Sequence, residues 1–132
     1  MKSFNLKVVT PDGLAFDKEV ESLLVRTDDG DVEFLAGHID YMASLGTGRA
    51  RIKEGGKDRL ASVSGGFVTV SGGEVKLVAI TFEFSENIDL DRAKAARDEA
   101  KDAISKSTDD KTLKLAQAKL QRALCRIDVA EG

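Results

Sequence analysis

Apolar residues in the first part of the chain recur with a period of two. In "FNLKVV", Phe4, Leu6 and Val8 share one face, the alternation of a half-buried strand. "VESLLVR" (20–26) and "GFVTV" (66–70) read as further strands. "RARIK" and "DRLASV" flank Gly55-Gly56, a pair suited to a two-residue hairpin. Gly72-Gly73 repeats that plan before "VKLVAITF", whose two apolar faces predict one central strand. "TPDG" (10–13) predicts a turn in which Pro11 presets φ and Asp12 caps its own backbone, and "TDDGD" (27–31) predicts another. Short, evenly spaced strands joined by hairpins imply a sandwich or barrel.

From Ile88 the period becomes helical. Asp89 is a good N-cap for a helix starting near Leu90, and Asp91 favours the positive end of its dipole. Ala93, Ala96, Ala100 and Ala103 or Ile104 form one stripe. "SKSTDD" (105–110) breaks it, with Thr108, Asp109 or Asp110 able to cap a second helix. That helix carries Leu113, Ala116, Leu120, Ala123 and Ile127 as its own stripe. The predicted fold class is α+β: an antiparallel β-sandwich over residues 1–87, then an antiparallel two-helix hairpin over 88–132. Its alanine-lined seam is thin, so the hairpin is expected to need the sandwich or a ligand to stay closed.

Composition narrows the function classes. A hydrophobic fraction of 42% can bury a core, and the net charge of −3 does not suit a coat for nucleic acid or anionic lipid. Aromatics at 5% give no stacking platform for bases. "MKSFNLKVV" is too short and polar for a secretory leader, and no apolar run approaches the ~20 residues of a membrane span. The single cysteine, Cys125, cannot form an internal disulfide, which points to a reducing compartment. From Lys111 to Arg126 there are five bases and no acid. This basic rod either neutralises the acidic first helix or docks on an acidic partner.

Candidate chemistry gathers at the helix ends. If the hairpin turns near residue 107 or 108, position 92 lies level with about position 123. Arg92 then meets Arg122 and Arg126, with Glu83, Asp89, Asp91 and Asp128 as nearby acids. One reading is an ion-pair network, worth under ~1 kcal/mol per exposed pair. The other is a set of forked cations around a polyphosphate. No enzyme site competes. "GTGR" (46–49) is a fragment of a phosphate loop, "SGGF" lacks the lysine, and one histidine, His38, cannot build a metal cluster. His38 reads as a hydrogen-bonding loop residue. Cys125 reads as an inert half-buried thiol, or as a thiolate favoured by its arginine neighbours. A free-standing small-molecule binding module is a class these observations leave open.

"VVTPDG" (8–13), "VESLLV" (20–25), the "GDVEFLAGH" loop (30–38), "VSGGF" (63–67) and "IDLDRA" (88–93), in this order and spacing, resemble the epsilon subunits of bacterial F-type ATP synthases. The resemblance implies a ten-stranded sandwich ahead of the two helices and a non-catalytic subunit of the rotary motor. It implies contact with the gamma subunit and the membrane c-ring, with Asp31 and His38 in the partner-facing region. It also implies coupling of ion flow to ATP synthesis, at the cytoplasmic face of the cell membrane without insertion into it. The helices would act as a brake on ATP hydrolysis, the basic second helix reaching the catalytic beta subunits when extended. Some members bind ATP as a regulatory ligand on the closed hairpin. Carried onto this chain, that places Ile88 and Asp89 at the adenine with Glu83 in support, and Arg92, Arg122 and Arg126 at the phosphates. Glu33, Ala36 and Asp40 stand where the family usually has glycine, proline and proline, and Glu99 stands where some nucleotide-binding members have a base.

Overall fold

The computed structural model describes residues 2–132. Ten strands form two five-stranded sheets packed face to face. The first sheet runs in the order β2 (Gly13–Val20), β1 (Phe4–Thr10), β9 (Glu74–Val78), β8 (Phe67–Ser71), β5 (Tyr41–Ser44). The second runs β10 (Thr81–Phe84), β7 (Lys57–Ser64), β6 (Gly48–Glu54), β3 (Ser22–Thr27), β4 (Gly30–Leu35). All pairings are antiparallel except β1 with β9, where Leu6 sits opposite Val75 in a parallel ladder. The expected alternation is present: Phe4, Leu6 and Val8 point into a core shared with Leu23, Phe34, Ile52, Val68 and Leu77.

Turn chemistry fixes the hairpins. Gly55 and Gly56 both have positive φ (58° and 78°), the geometry that lets a two-residue turn match strand twist, and they close β6 onto β7 with Glu54 opposite Lys57. At "TPDG" the side-chain acceptor is Thr10, whose Oγ1 takes the Asp12 N–H at 3.2 Å; the expected Asp12 cap is replaced by the preceding hydroxyl. "TDDG" repeats the device: Thr27 Oγ1 accepts the Asp29 N–H at 3.1 Å and donates to the Gly30 carbonyl at 2.8 Å.

Two further expectations are corrected by the places where the chain changes sheets. "VESLLVR" is not one strand. Val20 pairs with Phe4 in the first sheet, while the Glu21 N–H already donates to the Lys53 carbonyl of the second at 2.7 Å. "VKLVAITF" divides in the same way. Ala79 N donates to Val9 O in the first sheet (2.9 Å), and Ile80 N to Ser64 O in the second (3.0 Å). Gly66, at φ +90°, abuts this crossing so closely that a Cβ there would lie 1.8 Å from the Val78 carbonyl oxygen. The stretch 30–38 is also not all loop, since its first six residues form edge strand β4.

A single 3₁₀ turn, Ser85–Asn87, leads from β10 to two antiparallel helices, α1 (Leu90–Lys106) and α2 (Asp110–Glu131). Asp109 caps α2, its carboxylate accepting the Thr112 N–H at 2.7 Å. Buried positions are Ala93 and Ala100 on α1, and Ala116, Ala123, Ile127 and Val129 on α2.

Candidate functional site

The site begins with a helix start. Asp89 is extended, and its Oδ1 accepts the Arg92 backbone N–H at 3.1 Å. This capping fixes the first turn of α1 and places Arg92 on the rim of a cavity of about 360 Å³. Glu83, Ile88, Asp89 and Ala96 line that cavity, and Arg126 of α2 closes it. Its volume lies within the ~300–1,000 Å³ range of small-molecule sites. Arg126 Nε donates to Glu83 Oε1 at 2.8 Å, while its two terminal nitrogens make no hydrogen bond among the described residues. An adjoining cavity of about 290 Å³ shares Ala96 and Arg126 and adds Glu99, Lys119 and Arg122.

The two cavities sort the sequence-predicted residues. Arg92 and Arg126 line one, and Arg122 and Arg126 line the next. Arg92 and Arg122 line different cavities, and Arg126 lines both. Among the described residues, Arg92 and Arg122 form no ion pair. The acids expected to neutralise them are otherwise engaged. Asp89 caps α1, Glu83 takes Arg126, and Asp128 pairs with Arg49 of β6 at 2.6 Å. Asp91 is exposed and outside both cavities. Asn87 lines the first cavity and was missed; one polar residue ahead of "IDLDRA" carries no period to mark it. Cys125 is half-buried, with Ser62 Oγ donating to its sulfur at 3.4 Å.

The whole architecture matches known proteins. Residues 3–85 match the beta-sandwich domain of the ATP synthase delta/epsilon chain, and residues 86–131 match its long alpha-helix domain. The chain belongs to the ATP synthase delta/epsilon family. It is 42% identical over 130 residues to the ATP synthase epsilon chain of Bacillus velezensis, covering 98% of both chains. The Bacillus subtilis epsilon chain is equally similar, at 42% with the same coverage. A chain of the Euglena gracilis mitochondrial ATP synthase, solved with OSCP, F1 and c-ring, superposes with a TM-score of 0.82 at 26% identity, covering 98% of this chain and 82% of that one. A chain of the Tetrahymena thermophila mitochondrial central stalk and c-ring shares the fold, with a TM-score of 0.68 at 12% identity and coverage of 98% and 97%. Membership makes this chain a central-stalk subunit of an F-type ATP synthase.

In the delta/epsilon sandwich of this chain, Asp31 and His38 lie on β4 and the loop after it. Asp31 accepts from Arg26 Nε at 2.6 Å, and this hydrogen bond and charge raise the Arg26 pKa above its ordinary value. His38 packs edge-on against Phe34, with ring centroids 4.9 Å apart. Its Nδ1 lies 2.7 Å from the Ile39 carbonyl oxygen, so that nitrogen donates. It is thus the hydrogen-bonding loop residue expected. Around it Leu35, Ile39 and Met42 are exposed, and apolar spacing did not flag them because they point outward. Glu33, in place of the family glycine, pairs with Arg51 at 3.2 Å across β3.

Proposed function

We propose that this chain acts as a bacterial epsilon subunit that couples ion translocation to ATP synthesis and restrains ATP hydrolysis through α1 and α2. Regulatory ATP held at the Arg92–Arg126 cavity keeps the hairpin closed. The observation that carries this reading is the placement of two arginines from different helices around one cavity, Arg126 being steadied by Glu83 from the sandwich. Forked guanidiniums suit phosphate oxygens. Ile88 and Asp89 at the capped start of α1 offer an apolar face and an acceptor to the adenine. Arg122, in the adjoining cavity, extends the phosphate path. In this reading the ligand is a signal and not a substrate. By linkage, a ligand that binds only the closed form stabilises it by RT ln(1 + [L]/Kd).

The basic face from Lys111 to Arg126 supplies the complement to acidic segments of the catalytic beta subunits when the helices extend. The gamma subunit and the c-ring meet the sandwich, where exposed Leu35, Ile39 and Met42 lie in and just after the Asp31–His38 stretch. No helix among the described residues is long and apolar enough to cross a membrane. The proposed location, which follows from the stalk role, is peripheral on the cytoplasmic face.

Calorimetry with ATP tests the site. Arg92→Ala and Arg126→Ala should each weaken binding roughly tenfold to a hundredfold, the ~1.5–3 kcal/mol of a charged hydrogen bond. The Arg122→Ala/Arg126→Ala pair should abolish the heat. Equal heats for wild type and that pair overturn the assignment. Reconstituting the synthase without residues 88–132 tests the brake: hydrolysis at low ATP should rise, and an unchanged rate counts against the brake.

A further inference from the structure

Of the two helices, α2 is the one seated on β6, β7 and the 3₁₀ turn, while α1 packs chiefly on α2. Arg49 of β6 donates both Nε (3.1 Å) and Nη2 (2.6 Å) to one oxygen of Asp128. One turn earlier, Cys125 rests against Ser62 of β7. Val129, on the same face as Cys125, is fully buried. Neither Arg49 nor Asp128 lines either cavity of the candidate site. Arg126, held by Glu83, serves both the seating of the hairpin and the first cavity, whereas the Arg49–Asp128 pair serves the seating alone.

We propose that the Arg49–Asp128 pair is a latch through which the sandwich sets the resting population of the closed hairpin before any nucleotide binds. This rests on the closed form being one of two states, as argued under the proposed function. The ligand adds to a bias that is already present. An exposed pair of this geometry shifts the open-to-closed ratio roughly two- to five-fold. Apparent ATP affinity changes little while the closed form predominates, because it scales with the closed fraction. The open fraction is the sensitive quantity.

Cys125 reports it, since it is the only cysteine and sits half-buried on the face of α2 turned to Ser62 of β7. The rate of its alkylation by N-ethylmaleimide, measured on the full chain without nucleotide, should rise two- to five-fold in Arg49→Gln and in Asp128→Asn. The exchanged pair Arg49→Asp/Asp128→Arg should return it toward wild type. At 1 M salt, where screening acts within ~3 Å, wild type should approach Arg49→Gln while Arg49→Gln stays unchanged. Circular dichroism confirms that each variant keeps its helices. Unchanged rates in both single variants, or no recovery in the exchange, overturn the latch. Added ATP separates this result from the nucleotide reading: it should slow alkylation in wild type and in Arg49→Gln alike, since neither Arg49 nor Asp128 lines either cavity. A failed latch with intact ATP protection leaves the cavity assignment standing, and the reverse result leaves the latch standing.

Discussion

The sandwich and the hairpin bury different kinds of residue. The sandwich core is filled by large side chains, among them Phe34, Leu6, Leu23, Ile52 and Leu77, each fully shielded. The six buried residues of the hairpin are four alanines, Ile127 and Val129. Burial stabilises by about 25 cal/mol per Å² of apolar surface, so an alanine seam holds helices close but weakly. Glycine turns and a shared core make the first region a fixed body. The second depends on what it is laid against: Glu83, Ser62 and Arg49 of the sandwich each meet a residue of α2. The contrast shows how one short chain can join a densely packed body to a thinly packed one without a flexible linker between them.

Separating the two regions should have the largest effect. A chain ending at Asn87 should keep a cooperative unfolding transition, whereas a peptide of residues 88–132 should lose most of its helical circular dichroism, because helical stability comes mostly from packing an amphipathic face and the peptide lacks the sandwich it packs on. Full helicity in the peptide breaks the comparison. Next, Phe34→Ala should cost ~3–5 kcal/mol in denaturant unfolding of the full chain, more than any alanine substitution in the hairpin. Asp89→Ala should lower helix stability by ~1 kcal/mol, while Asp89→Asn should keep the cap. ATP calorimetry on the asparagine variant then isolates the carboxylate from the cap.

The smallest effect is on acidification. The Arg59 hydrogen bond holds Glu86 below its ordinary 4.5, and the Thr112 backbone N–H holds Asp109 below 3.8. Both folded values lie below the unfolded ones, so their stabilisation is present above about pH 4.5 and lost as pH falls through the folded values. Helical signal should slip below pH 4 while the sandwich signal holds, a modest change because both groups face water.

Legibility followed burial. The central strands β1, β6, β7, β8 and β9 alternate against a core and stand out in the sequence. The four edge strands do not. β2 was not read as a strand apart from Val20, β10 was merged with β9, β4 was read as loop, and β5 was not isolated. The pattern of β2 explains this: only Phe16 and Val20 are buried in its eight residues. The helices were legible because caps and 3.6-residue spacing are local signals, and spacing alone opposed Arg92 to the later arginines. Where the hairpin would land was not legible. Arg49 and Asp128 are separated by 79 positions, and nothing in either segment announces the other.

Only Ser107 and Thr108 separate the last residue of α1 from the cap of α2. Were those residues and Asp109 to become helical, Leu90 to Glu131 would form one rod of 131 − 90 + 1 = 42 residues. At 1.5 Å per residue it would reach about 63 Å. Its formation would give up the Asp109 cap and set two adjacent carboxylates, Asp109 and Asp110, in mid-rod. The bend is therefore a joint with a built-in preference for folding over, and straightening must be driven from outside it.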